Sequence, residues 1–101
     1  MGARRTINRY KEMNPICDTY EEALKKGKRL HAYGMRGQWG KQDVYHDPFY
    51  ITRWENKSGK VTWMVNGYSD YERKHKRLRE GTVIVTWNVE KKRWVEETIT
   101  A

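Results

Sequence analysis

Alternating apolar and polar positions predict four β-strands in the chain. They form two pairs, and a short polar turn typical of hairpins separates the strands of each pair. The four segments are residues 49–55, 61–66, 82–89 and 94–100. We therefore expect two β-hairpins in one antiparallel sheet.

The third of these strands alternates most strictly and indicates where the core lies. Its apolar residues at every second position share one face; they are Val83, Val85, Trp87 and Val89. Trp63, with either Val61 or Val65, is expected on the matching face of the second strand. These side chains are predicted to face inward and pack together.

A first short helix is predicted after residue 17. Asp18 is placed to accept a hydrogen bond from the first turn, and apolar residues then recur at helical spacing from Tyr20 to His31. Gly34 is expected to end this helix, since glycine is common directly after the last helical residue. Residues 34–48, which contain three evenly spaced glycines, are predicted to form a long loop.

A second short helix is predicted to begin with the capping pattern from Ser69 to Glu72 and to end at Gly81. It has one apolar stripe at helical spacing, formed by Tyr71, His75 and Leu78. Residues 1–17 are expected to form a basic arm or an edge strand. The predicted fold is one α+β domain over residues 1–101, with an antiparallel sheet of four to five strands and two short helices.

The composition indicates an ordered domain with a small core. Leu, Ile, Val and Phe account for only 16 of the 101 residues, a fraction that by itself would suggest disorder. The five Trp and seven Tyr residues change that conclusion. Each ring buries about 150–250 Å² when it is packed, so the core is expected to be built from Trp and Val.

The net charge of +8 and the pI near 9.7 predict a polyanionic partner. The excess is uneven, since residues 1–37 carry +5 and the last twenty residues are neutral. There is no apolar run of membrane-spanning length and no apolar run after the basic start, so neither a membrane partner nor secretion is expected. The single Cys17 is typical of a reducing, cytoplasmic compartment.

Basic side chains in the two predicted helices are the candidate contacts for nucleic acid or an acidic protein. Five of them fall within seven positions of the second helix: Arg73, Lys74, Lys76, Arg77 and Arg79. The remaining candidates are Lys25, Lys28 and Arg29 in the first helix and Arg36 in the predicted loop that follows it. Such density produces salt-dependent binding to phosphates. The alternative is that these residues form only a solvated outer face.

The glycine-rich segment 33–41 offers rings beside cations, which suits single-stranded nucleic acid. Tyr33 and Trp39 are its candidate stacking or anchoring residues. The alternative for Trp39 is a ring that packs back onto the sheet. The glycine spacing matches neither the dinucleotide-binding nor the phosphate-loop pattern.

Residues suited to catalysis are few. His31, His46 and His75 lack metal-ligand spacing, so no metal and no cofactor are predicted. His46 beside Asp47 leaves open a metal-free ribonuclease, although neighbouring residues on an extended chain point in opposite directions. Cys17 has no activating neighbour, and no catalytic residue is assigned.

These observations favour a small, basic, non-enzymatic regulatory protein that binds nucleic acid or a nucleic-acid-handling complex inside the cell. The first alternative is a protein–protein inhibitor that docks on an acidic partner surface, as in small mobile-element proteins. The second alternative is the small ribonuclease. The oligomeric state is left open.

Overall fold

The computed structural model describes residues 14–36 and 42–100. Within these ranges the chain forms two helices and seven strands, and the predicted α+β class is confirmed. The helices are α1 (Tyr20–His31) and α2 (Asp70–His75). The strands are β1 (Ile16–Cys17), β2 (Ala32–Arg36), β3 (Gln42–His46), β4 (Phe49–Glu55), β5 (Val61–Gly67), β6 (Val83–Asn88) and β7 (Arg93–Thr98).

Five strands form an antiparallel sheet in the order β1-β5-β4-β6-β7, and β2 pairs with β3 in a separate two-stranded ribbon. The two predicted hairpins are β4–β5 and β6–β7. The first turn is shaped by Asn56, whose Oδ1 accepts hydrogen bonds from Ser58 and Lys60. Gly59 has a φ of +88°, a conformation that favours glycine.

The core lies between α1 and one face of the sheet. Its fully buried side chains include Phe49, Ile51, Val65 and Val85. Gly27 permits close packing of α1, because a Cβ there would lie 2.2 Å from Cε2 of Phe49. The predicted inward face is confirmed at Val83 and Val85, which are buried, and Trp87 is half-buried.

Val89 is an exception to that prediction, since it is 76% exposed. Strand β6 ends at Asn88, so Val89 starts the turn, where the alternation of strand faces no longer applies.

The predicted loop over residues 34–48 is wrong, because β2 and β3 occupy most of it. Helix α1 ends at His31 rather than near Gly34, since the chain turns directly into β2. Its N-cap is Thr19 rather than Asp18: the Thr19 side chain accepts a hydrogen bond from the Glu22 amide.

The second helix starts as predicted but is shorter. The Ser69 hydroxyl accepts a hydrogen bond from the Glu72 amide, and the helix ends at His75. Lys76 has φ −100° and ψ 127°, which ends the helix; residues 76–79 have no regular secondary structure, and a turn follows at Glu80 and Gly81. The predicted apolar stripe is therefore not formed: Tyr71 is exposed and Leu78 lies outside the helix.

At the N-terminal end, Ile16 and Cys17 form the short edge strand β1 against β5. Residues 1–13 lie outside the described residues. Neither described helix combines the length and apolar character needed to cross a bilayer.

Candidate functional site

Residues 70–79, called the basic segment below, lie on the face of the sheet opposite α1. Tyr50 and Trp54 point to that face because they alternate with the core residues of β4. The Lys76 ammonium donates a hydrogen bond to the Tyr50 hydroxyl and lies 5.0 Å from its ring centroid. The Arg79 guanidinium lies 4.5 Å from the ring centroid of Trp54. Two cation–ring contacts therefore hold this segment on the sheet.

The five predicted contact cations of this segment are not equivalent. Arg73 pairs with Asp70, and Lys76 lies 4.0 Å from Glu72. The hydrogen bond to Tyr50 raises the pKa of Lys76, against the opposing effect of burial, so this side chain stays charged. Lys74 and Arg77 are exposed and have no hydrogen-bond, ion-pair or ring partner among the described residues. Of the five cations of the basic segment, they are the two without a partner in the part of the chain that the structure describes.

Exposed aromatic surface accompanies these cations. The Tyr71 ring is 72% exposed, and its centroid lies 4.4 Å from that of His75. The Trp54 ring under Arg79 is 44% exposed. The basic segment thus presents ring surface beside positive charge.

The cations predicted on the first helix lie elsewhere. Helix α1 covers the core face of the sheet, and Lys25 and Arg29 are exposed on its outer side while Lys28 is half-buried. The structure therefore places the two basic groups on opposite sides of the sheet. Arg36 is the last residue of β2, and its side chain lies outside the described part of the chain.

The glycine-rich segment is only partly described. Tyr33 stacks on Tyr45 across the ribbon, with ring centroids 5.7 Å apart. Trp39, the second candidate ring, lies outside the described residues.

A cleft of about 740 Å³ opens beside the basic segment. The end of α1, the β3–β4 connection, the ends of β4 and β5, and α2 together form its walls. Its lining residues are Asn14, His31, Asp47, Pro48, Tyr50, Asn66, Gly67, Tyr68, Ser69, Asp70, Glu72 and Lys76. This volume lies within the range of about 300–1,000 Å³ that is typical of small-molecule sites.

His31 contributes an unusual group to the wall of this cleft. The residue is only 7% exposed, and its enclosed Nε2 has no hydrogen-bond partner within the described ranges. Its ring stacks on Phe49, and its Cε1 edge faces Gly67. Burial lowers the pKa of His31 and the Asp47 carboxylate partly opposes this, so the ring is neutral at pH 7.

His46 and Asp47, the pair considered for ribonuclease chemistry, have different surroundings. The His46 ring lies flat on Trp87, with centroids 3.7 Å apart, and meets the edge of Trp94. Asp47 lines the cleft, and its backbone N–H donates to the His31 carbonyl. The stacking of His46 on Trp87 therefore holds the β2–β3 ribbon against the sheet.

The remaining candidate chemistry is limited in the described part of the chain. No group of three His, Cys, Asp or Glu side chains there is arranged to hold a metal ion. Cys17 is buried, and burial raises the pKa of its thiol, which disfavours the reactive thiolate.

Sequence reasoning missed the cleft and the ring contacts of the basic segment. Four separate parts of the chain form the cleft, and the capping pattern from Ser69 to Glu72 in one of them indicates a helix start and not a binding site. Comparison with known proteins gave no match to a family model, a curated protein or a solved structure.

Proposed function

We propose that the protein is a non-enzymatic binder of nucleic acid, with a preference for single strands, and that the basic segment makes the contact. The observation that carries this proposal is the arrangement of Lys74 and Arg77, two exposed cations without partners among the described residues, on the same segment as the exposed Tyr71 ring. Single-strand binders combine these two elements, since cations meet phosphates while bases stack on rings.

The overall charge supports the same function. At +8, the protein attracts polyanions over distances comparable to the Debye length, about 10 Å at 0.1 M salt. The exposed Tyr71 ring favours single strands over duplex DNA, because bases in a duplex are already stacked on one another.

The test is fluorescence anisotropy with labelled single- and double-stranded oligonucleotides over a salt series. The Lys74→Gln/Arg77→Gln variant is expected to bind single strands more weakly. The slope of log K against log salt should fall by about 0.7 for each phosphate that the variant no longer neutralises.

The matched control is Lys91→Gln/Arg93→Gln, which removes the same charge at the β6–β7 turn. Val85 pairs with Phe49, the first residue of β4, so the rest of β6 and the turn that follows it extend beyond that end of β4. Trp54 lies near the other end of β4, where Arg79 contacts it, so the turn is remote from both residues. The control should keep most of the affinity. Equal losses in both variants would reduce the effect to net charge and contradict the choice of the basic segment. Absence of wild-type binding at low salt would overturn the proposal and favour an acidic protein as the partner.

A further inference from the structure

The cleft beside the basic segment is acidic although the protein as a whole is basic. The charged side chains that line it are three carboxylates and one lysine, Asp47, Asp70, Glu72 and Lys76, and the lining His31 is neutral at pH 7. A phosphate would be repelled by the carboxylates. The group that fits inside the cleft carries no negative charge and donates hydrogen bonds to a carboxylate.

The carboxylates are not equally available to such a ligand. Asp70 is paired with Arg73, and Glu72 lies 4.0 Å from Lys76. The Asp47 carboxylate has no hydrogen-bond or ion-pair partner in the part of the chain that the structure describes. Of the three carboxylates that line the cleft, Asp47 is therefore the one without a partner among the described residues.

Aromatic rings form part of the wall of the cleft. Tyr50 and Tyr68 both line it, with their ring centroids 5.5 Å apart and their planes nearly perpendicular. The Tyr50 ring is held by Lys76, which also belongs to the basic segment. Beside them stands the nine-tenths buried His31, whose ring edge faces Gly67 at the wall. The enclosed Nε2 of His31 has no partner among the described residues, which costs stability rather than adding to it.

We propose that this cleft binds one unpaired base of a strand held by the basic segment, and that Asp47 accepts hydrogen bonds from the amino-bearing edge of guanine. Guanine presents N1–H and N2–H side by side, which matches the two oxygens of a carboxylate. Thymine offers a single N–H between two carbonyl groups and fits this acceptor poorly. The proposal rests on the proposed function, because the strand must first be held by the cations.

The experiment uses four seven-nucleotide DNAs that contain dT at every position except the centre, which is dG, dA, dC or dT. Wild-type protein is expected to bind the dG strand about tenfold more tightly than the dT strand, a difference of about 1.4 kcal/mol. Asp47→Asn, which replaces one carboxylate oxygen by a donor, should lose this preference and keep its affinity for the dT strand. Asp18→Asn is the control, since Asp18 is an exposed carboxylate 3.7 Å from Lys60 and does not line the cleft.

The outcomes separate this inference from the proposed function. Equal binding of all four strands, or a dG preference that survives in Asp47→Asn, would overturn the base-binding cleft and leave the proposed function standing. If wild type binds no strand, the proposed function fails. Guanosine, which carries no phosphate, then tests separately whether the cleft binds the base. Shifts of the Gly67 and Tyr68 amide signals in NMR spectra would support binding in the cleft, and unchanged signals would overturn it.

A readout on wild-type protein covers the case in which Asp47→Asn fails to fold. Guanosine at millimolar concentration should displace the dG strand several-fold more effectively than thymidine does. Equal competition by the two nucleosides would contradict the inference.

Discussion

Substitution of Gly27 by alanine tests the packing of α1 on the sheet. In an exposed helix this change is stabilising by about 1 kcal/mol, because alanine has the higher helix propensity. Here the new Cβ would lie 2.2 Å from Cε2 and 2.7 Å from Cδ2 of Phe49. Phe49 has no exposed surface and stacks on His31 and meets Trp94 edge-on, so its ring has no free space to enter.

The balance is expected to be destabilising. Overpacking a filled core costs about 1–3 kcal/mol, and contacts this short place the cost at the upper end, about 3 kcal/mol. After the propensity gain, Gly27→Ala should lose about 2 kcal/mol. For a domain of this size, that corresponds to a fall in Tm of roughly 8–16 °C.

Urea and thermal unfolding followed by circular dichroism measure the effect. Lys25→Ala, at an exposed position of the same helix, serves as the control and should change stability by less than about 0.5 kcal/mol. Phe49→Leu should recover part of the loss in the Gly27→Ala background, which a double-mutant cycle detects. A Gly27→Ala variant more stable than wild type would refute the described packing of α1.

Three further predictions concern stability and binding. Tyr71→Ala should leave the free energy of unfolding within about 0.5 kcal/mol of wild type, since the ring is exposed. The same variant should bind single strands about fivefold or more weakly in anisotropy, because stacking contributes roughly 1–3 kcal/mol per base. Burial lowers the pKa of His31 in the folded state, so the unfolded chain binds a proton more readily. The free energy of unfolding should therefore be highest above the ordinary histidine pKa of 6.5 and fall as the pH drops below it. Urea titrations at several pH values should find this fall reduced in His31→Gln. His46→Ala should lower the free energy of unfolding by about 1–2 kcal/mol, because it removes the stacking on Trp87, and should leave oligonucleotide affinity unchanged. If wild type cleaves RNA without added metal and this variant does not, the ribonuclease alternative is supported instead.

The hairpins could be predicted because their signals are local. Alternation over a few residues and turn residues such as Asn56 and Gly59 determine β4–β5 without reference to the rest of the chain. The ribbon of β2 and β3 was missed because its support is remote. His46 lies on Trp87, forty-one residues away, and glycines at 34, 37 and 40 resemble a loop in any local reading.

The length of α2 shows the same limit. The sequence pattern from Ser69 to Gly81 is compatible with a helix, but Lys76 and Arg79 find ring partners on β4 that only the folded sheet provides. The cleft could not be predicted, since its walls come together only once α1, the β3–β4 connection and α2 are in place. The role of the basic segment in binding stays a prediction.

The way the basic segment is attached has a consequence for local opening of the protein. None of the six described residues of α2 is buried, so this layer depends on cation–ring contacts and caps rather than on apolar burial. Its backbone amides should therefore exchange with deuterated solvent through a partial opening that needs much less free energy than global unfolding. That opening would detach Lys76 from Tyr50 while α1 remains packed on Phe49, so the basic segment can reorganise without loss of the core.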